Sequence, residues 1–383
     1  MKNNNLGIYI HIPFCNSKCF YCDFYSCAAS NEKKVEKYID ALCQEIIANV
    51  EILSESVIDT IYIGGGTPTV IDAQHIYKIL YLLKNCSNVT ADAEITIEVN
   101  PETLTEQKLK TYIACGVNRV SMGLQTIHED ILKNIGRHST LENFQNAYNM
   151  LVSNGIDNIS TDIIMGLPGD NISRFNDTIK YILSLDKIKH ISAYSLEVHE
   201  NTKLKFLLDN DFLQLPDEDI ERQMKHDLDE KMERAGFKRY EISNYAKDGY
   251  ESYHNLKYWN CCNYLGLGTS SASYIKNTRY TNVSDIDQYI SCINEGKNIK
   301  TEIEELDKLD KIKEYIILQL RLAKGIDTHE FKIIFGQDIY DIYFSEINEC
   351  IALGLLTENA NKTRIYLTDK GEDLANIVWG KFI

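Results

Sequence analysis

From residue 7 to about residue 196 the chain repeats one unit: a short apolar, β-branched run followed by a stretch with apolar residues at three- and four-residue spacing. The repeat returns roughly every 30–35 residues, the size of a βα unit. The strand-like runs are Gly7 to Ile12, Val57 to Ile63, Glu94 to Val99, Arg119 to Gly123, Asn158 to Met165 and His190 to Leu196. Helical patterns fill the gaps at Asn31 to Val50, Ala73 to Leu83, Thr105 to Cys115, Leu141 to Asn154 and Asn171 to Leu185. Six such alternations predict a parallel sheet covered by helices. Polar residues cluster at and after the strands. Glu98 ends the third, Gln125 follows the fourth, Asp162 lies within the fifth, and Tyr194 to Glu197 follow the sixth. Barrel enzymes keep their working residues at that end of the strands.

The pattern changes after residue 200, which divides the chain into 1–200, 201–300 and 301–383. The middle part reads as a polar helix (Asp217 to Ala235) and then a Gly-, Tyr- and Asn-rich stretch, Phe237 to Ser273. The last part reads helix, helix, helix and then IYLTDKG, resembling a winged helix. Residues 301–383 carry ten Lys and Arg against sixteen Asp and Glu, and the whole chain has a net charge of −16. That balance works against a phosphate backbone, so no nucleic acid is expected, and the last part is read as a lid or packing domain. No apolar run of 18 residues appears and the N-terminus lacks a leader pattern, which points to the cytoplasm. The 11 cysteines are odd in number and scattered. Most are read as buried thiols rather than a disulfide framework.

Three of them differ. Cys15, Cys19 and Cys22, in HIPFCNSKCFYCDF, stand at C-x3-C-x2-C spacing on the loop after the first strand. Three close thiolates can hold three irons of a [4Fe–4S] cube and leave the fourth open. The alternative is a structural zinc with Cys27 as fourth ligand. After the second strand comes GGGTP, Gly64 to Pro68, where missing side chains would let a ligand approach the backbone. A tight strand-to-helix turn is the other reading.

C-x3-C-x2-C after a first strand and GGGTP after a second resemble the radical S-adenosylmethionine (SAM) superfamily. YIHIPFC, GGGTPT, EVNP (Glu98 to Pro101), GLQ (Gly123 to Gln125), GRHS (Gly136 to Ser139), DIIMGLPGD (Asp162 to Asp170), AYSLE, YEISNYA (Tyr240 to Ala246) and HNLKYW (His254 to Trp259) sharpen the match. In order and spacing they resemble the oxygen-independent coproporphyrinogen III oxidase group and the heme chaperones related to it. The resemblance implies an α/β fold, a partial (β/α)6 TIM-like barrel with a C-terminal helical, winged-helix-like domain. It implies a [4Fe–4S] cluster on Cys15, Cys19 and Cys22, and SAM held by Tyr9, Tyr21, Gly65, Gly66, Thr67, Glu98, Gln125, Arg137 and Asp162. One electron from the cluster would cleave a C–S bond of SAM and give a deoxyadenosyl radical.

Two departures separate the relatives. The decarboxylating enzymes carry a further Cys two places after the third ligand, where this chain has Phe24, and a longer arm before the first strand, where about six residues stand here. Both point to the heme chaperone branch, with oxidative decarboxylation of coproporphyrinogen III as the alternative. The resemblance implies heme as cargo, a heme-accepting respiratory protein, an electron donor such as flavodoxin or ferredoxin, and membrane contact at most through the acceptor. His254 is the expected heme contact, with Tyr258 and Trp259 available to stack on the porphyrin; a buried histidine in an aromatic core is the competing reading. GLGTSSASY (Gly266 to Tyr274) has serines where many relatives have a His, and Cys261, Cys262 and His199 are the next candidate ligands should His254 not serve.

Overall fold

The strands do not run uniformly apolar. Alternate residues face opposite sides of a strand, and Ile8, Ile10, Ile12, Ile61, Ile63, Ile97, Val120 and Ile191 on one side are all fully buried. On the other side lie Tyr9, His11, Thr60, Tyr62, Glu94, Thr96, Glu98, Arg119, Ser121, Ser160, Asp162, His190 and Ser192. A sheet with this alternation packs helices against its apolar face and curls its polar face inward.

The computed structural model describes residues 5–383; residues 1–4, the start of the short N-terminal arm, lie outside the described residues. The six expected strands are present as β1 (Asn5–Ile12), β2 (Val57–Gly65), β3 (Asn88–Val99), β4 (Arg119–Gln125), β5 (Ile159–Met165) and β6 (Ile188–Ser195), each paired in parallel with the next. Their outer face is covered by α1 (Glu32–Ala48), α2 (Ala73–Cys86), α3 (Glu106–Ala114), α4 (Leu141–Ser153) and α5 (Ile172–Leu183), which contribute Ile39, Leu42, Ile76, Leu80, Phe144 and Phe175 to the core. Local chemistry sets the helix starts. The Asn31 side chain accepts the Lys34 N–H, and Thr140 with Asn143 forms a capping box, satisfying amides that a helix leaves orphaned.

Residues 201–300 add α6 (Lys203–Asp209), α7 (Glu218–Arg234), β7 (Lys238–Glu241), β8 (Asn244–Ala246), α8 (Tyr253–Trp259), β9 (Tyr264–Leu267), β10 (Ala272–Ile275), β11 (Thr278–Asn282) and β12 (Lys300–Glu305). They extend the sheet at both edges, in the order β12-β11-β10-β9-β1-β2-β3-β4-β5-β6-β8-β7. β9 lies parallel to β1, from Gly7↔Tyr264 to Ile10↔Leu267, as a seventh parallel strand. One apolar core runs from Leu6 to Ile299.

The C-terminal part has its own core around Tyr315, Phe331, Ile347, Ile365 and Phe382. It runs α9 (Lys308–Arg321), β13 (Ile326–Asp327), α10 (Thr328–Phe335), α11 (Ile339–Ala352), β14 (Leu356–Glu358) and β15 (Arg364–Leu367), with sheet order β13-β15-β14. That element order is the winged-helix order. The buried Glu241 carboxylate ties it to the barrel through Arg321 at 2.8 Å. The cysteines depart from expectation: only Cys43, Cys115 and Cys350 are fully buried, because most of the others sit at the edges of helices and loops.

Candidate functional site

The polar interior has two ends. At the floor, where the strands begin, α8 lies across the barrel and closes it. The Glu94 carboxylate accepts the backbone N–H groups of Tyr253 (3.1 Å) and His254 (3.0 Å), Lys257 pairs with Asp59 at 2.6 Å, and the Tyr240 hydroxyl accepts the Ser252 N–H at 3.3 Å. An anion at a helix N-terminus satisfies its orphan donors and its dipole together.

This arrangement gives His254 a structural place. Its ring is buried, with Nδ1 at 2.9 Å from the Thr60 hydroxyl and Nε2 at 2.8 Å from the Tyr258 hydroxyl. It stacks on Tyr62, and Tyr258 packs edge-on against it and against Tyr264. Burial, followed by the Lys257 and Arg119 charges, pushes its pKa down to about 3. Both nitrogens are engaged within the protein and the aromatic neighbours pack on the protein itself, so His254 serves the floor. A second floor histidine, His190, is held in the same way by Ser160 (2.8 Å) and Tyr240 (2.8 Å). Cys261 and Cys262 follow α8; burial pushes the Cys261 thiol up to about 12 and raises that of Cys262, so neither is a ready thiolate.

At the mouth, where the strands end, the cysteine loop and the glycine turn meet. The Thr67 hydroxyl lies 3.6 Å from Cys15 Sγ, and Arg137 lies against Cys19 and Tyr21. Cys15, Cys19 and Cys22 are all half-buried, and burial raises the thiol pKa of Cys15 and Cys22. Cys27 is turned away. It pairs in register with the buried Phe14 while Cys15 pairs with Ala28, and its side chain packs against the apolar core. Among the described residues no three Cys, His, Asp or Glu side chains converge as one ion requires. A cube gives each thiolate a different iron and so spreads its ligands, and the donor set fits three-point cluster ligation better than a four-thiolate zinc.

The glycines also answer to the turn itself, the second of the two readings. A Cβ on Gly64 would stand 2.8 Å from the Glu98 carboxyl, one on Gly65 2.5 Å from the His11 ring, and one on Gly66 2.7 Å from the Phe14 carbonyl oxygen. Gly65 also holds φ +112, a left-handed conformation. The protein's own backbone therefore demands Gly65, through its φ, and Gly66, through the Phe14 and Ile12 carbonyls, while Gly64 leaves room for the Glu98 carboxyl. Their amides are also spent: Gly65 N–H donates to Glu98 (3.1 Å), Gly66 N–H to the Ile12 carbonyl (2.9 Å) and Thr67 N–H to the Phe14 carbonyl (2.7 Å). What the turn has left to offer a cofactor is carbonyl oxygen.

Around it stand the other expected residues. Tyr62 donates to Glu98 at 2.9 Å and stacks on Tyr9. Burial above all raises the Glu98 pKa to about 7, and burial raises that of Asp162, which accepts from Ser121 at 3.3 Å. Arg137 donates to the Gly123 carbonyl at 2.8 Å, and Gln125, buried at φ 67, follows a register shift in β4 that turns it off the strand line. Tyr9, Tyr21, Glu98, Gln125, Arg137 and Asp162 thus line the interior toward the cysteines, while His254 lies on the floor side, one ring away through Tyr62.

Sequence reasoning passed over Tyr62, Arg119 and His11. His11 is 4% exposed, Nδ1 meets the Tyr9 hydroxyl at 3.0 Å, and Nε2 has no partner among the described residues. The period-two alternation in YIHI, TIYIG and RVSMG was the signal that would have found them.

Comparison with known proteins agrees with this geometry. Residues 9–182 match the Radical SAM superfamily and residues 306–374 the HemN C-terminal domain. The chain is 35% identical to the protein named Heme chaperone HemW of Bacillus subtilis (strain 168), over 98% of both chains. It is 29% identical to the Escherichia coli (strain K12) protein of that name, over 99% of this chain and 98% of the other. A solved structure described as coproporphyrinogen III oxidase (HemN) from Escherichia coli, a radical SAM enzyme, superposes with a TM-score of 0.87 at 23% identity, covering 99% of this chain and 90% of that one. A barrel with its cysteine loop at the mouth, a HemN-type C-terminal domain and full-length similarity to these chaperones place the chain in the HemW family of the radical SAM superfamily.

Proposed function

We propose that this protein is a heme chaperone: it binds heme and passes it to an acceptor protein, and it carries a [4Fe–4S] cluster and SAM. The observation that carries the reading is similarity over 98% of both chains to a protein named Heme chaperone HemW. Phe24, where decarboxylating relatives have a further Cys, supports it. Cys15, Cys19 and Cys22 hold the cluster, and Tyr21 and Arg137 flank it. The carbonyls of Gly65, Gly66 and Thr67 receive the methionine amine of SAM, while Glu98, Gln125, Asp162 and Tyr9 meet its remaining polar groups. When bound, the cluster supplies one electron to SAM. The acceptor is a respiratory hemoprotein, the electron donor is of the flavodoxin or ferredoxin class, and the exchange takes place in the cytoplasm. Among the described residues no helix is long and apolar enough to cross a membrane.

The deciding experiment incubates reconstituted protein anaerobically with SAM, a reductant and either heme or coproporphyrinogen III. Heme that survives desalting, with coproporphyrinogen III unchanged, is the expected result. Decarboxylated porphyrin from the second incubation would assign the chain to the enzymes instead.

A further inference from the structure

Both His254 ring nitrogens are bonded within the protein, which makes a histidine with a less engaged ring the better-placed heme anchor. Nine histidines are present. His11, His190 and His254 are buried in the barrel interior, and His128 contacts the Arg174 carbonyl at 3.0 Å. His75, His226 and His329 lie on the outer helices α2, α7 and α10. His138 and His199 remain, and both border the cysteine loop: Phe20 N–H donates to the Ile135 carbonyl (2.8 Å) on one side and the Leu204 N–H to the Phe20 carbonyl (2.8 Å) on the other.

His199 presents an accessible imidazole, its side chain 39% exposed. Its Nδ1 lies 3.6 Å from a carboxylate oxygen of Asp23, on the cysteine loop, and its Nε2 lies 3.4 Å from Glu197, whose side chain is 80% exposed and free to swing aside. Histidines that bind metals commonly give their second N–H to a carboxylate, which fixes the ring and raises its basicity. His199 is anchored through its carbonyl, which accepts the Thr202 hydroxyl at 2.7 Å. Beside these carboxylates, the two segments that meet here also carry exposed aromatic side chains and a lysine. Phe24 (63% exposed) follows Asp23, Phe206 (59% exposed) stands one turn along α6 from Lys203, and the Lys203 ammonium sits 3.7 Å above the Phe20 ring. An accessible imidazole, exposed aromatic faces and a lysine on a chain of net charge −16 are what a flat apolar macrocycle with an iron centre and two carboxylates would select.

We propose that heme docks at the barrel mouth against the cysteine loop, with His199 Nε2 as its axial iron ligand, Phe24 and Phe206 along its faces and Lys203 on a propionate. This rests on the heme-chaperone reading. Cargo and cluster then share one end of the molecule, joined through the Asp23–His199 contact.

The test is hemin titration of the full-length, reconstituted protein, followed by its Soret band, with SAM affinity measured in parallel. His199→Ala is expected to weaken hemin binding at least tenfold and to lose the nitrogen-ligated spectrum, which free imidazole restores. Lys203→Glu is expected to weaken binding severalfold with the spectrum unchanged. SAM affinity stays as in the wild type for both, showing that they fold. Wild-type hemin affinity and spectrum in His199→Ala would overturn the assignment while leaving the chaperone reading intact. A wild-type protein that takes up no hemin would overturn both.

Discussion

Glu94 and His254, 160 positions apart, meet at 3.0 Å where the Glu94 carboxylate caps the N-terminus of α8. This contact turns the HNLKYW stretch into the floor of the barrel and separates it from the cysteine loop at the mouth. The motif that looked most like a porphyrin site thereby has a structural role as well.

The cluster loop is tested first. Changing Cys15, Cys19 or Cys22 to Ala is expected to abolish the broad visible absorption and the bound iron of the reconstituted protein. Cys27→Ala is expected to retain both, because its side chain faces the core. Equal loss of iron on changing Cys27 would count against three-point ligation.

The SAM pocket is better probed at Glu98 than at the glycines. Gly65→Val would drive its side chain into the His11 ring at a backbone angle that L-residues rarely adopt, so it is expected to damage the turn itself. Glu98→Gln keeps the shape and the Gly65 contact while removing the anion. It is expected to weaken SAM binding about tenfold, read by equilibrium dialysis, with cluster absorbance unchanged; undiminished affinity would remove Glu98 from the pocket.

His254 predicts an acid-side effect. Its folded pKa of about 3 lies below the ordinary value of 6.5, so the unfolded chain takes up a proton that the folded one refuses. Its stabilisation is therefore complete above pH 6.5 and is lost as the pH falls toward 3. His254→Gln is expected to be less stable than the wild type at pH 7.5 and to show a shallower loss of stability on acidification, measured by urea unfolding. Hemin affinity of the variant is expected to match the wild type, and a tenfold loss would return the heme site to α8.

The C-terminal domain is held partly by one buried charge. Arg321 pairs with Glu241, whose side chain is fully buried, and lies 4.3 Å over the Trp259 ring. Arg321→Ala leaves that carboxylate without its cation and is expected to cost about 3 kcal/mol in denaturant unfolding. A change below about 0.5 kcal/mol would mean that the backbone donors of Ser243 and its neighbours suffice.

The sequence by itself determined the six βα units, the cysteine loop after β1 and the glycine turn after β2, and the winged-helix order of the C-terminal part. Each is written locally, in a hydrophobic period, a spacing or a turn residue, and neighbouring residues enforce it. Tertiary structure alone decided what depends on distant partners. β9 joins β1 as a seventh parallel strand through pairing across about 250 residues, which no local period encodes. The glycines of GGGTP meet Glu98, His11 and Phe14, brought to them by other strands and the cysteine loop. His254 has both ring nitrogens bonded to Thr60 and Tyr258, and His199, which the sequence offered only as a fallback heme contact beside Cys261 and Cys262, came to rest beside Asp23 on the cysteine loop. A residue type states what chemistry a side chain can perform; which of its atoms remain free to perform it is settled when distant strands and helices close around it.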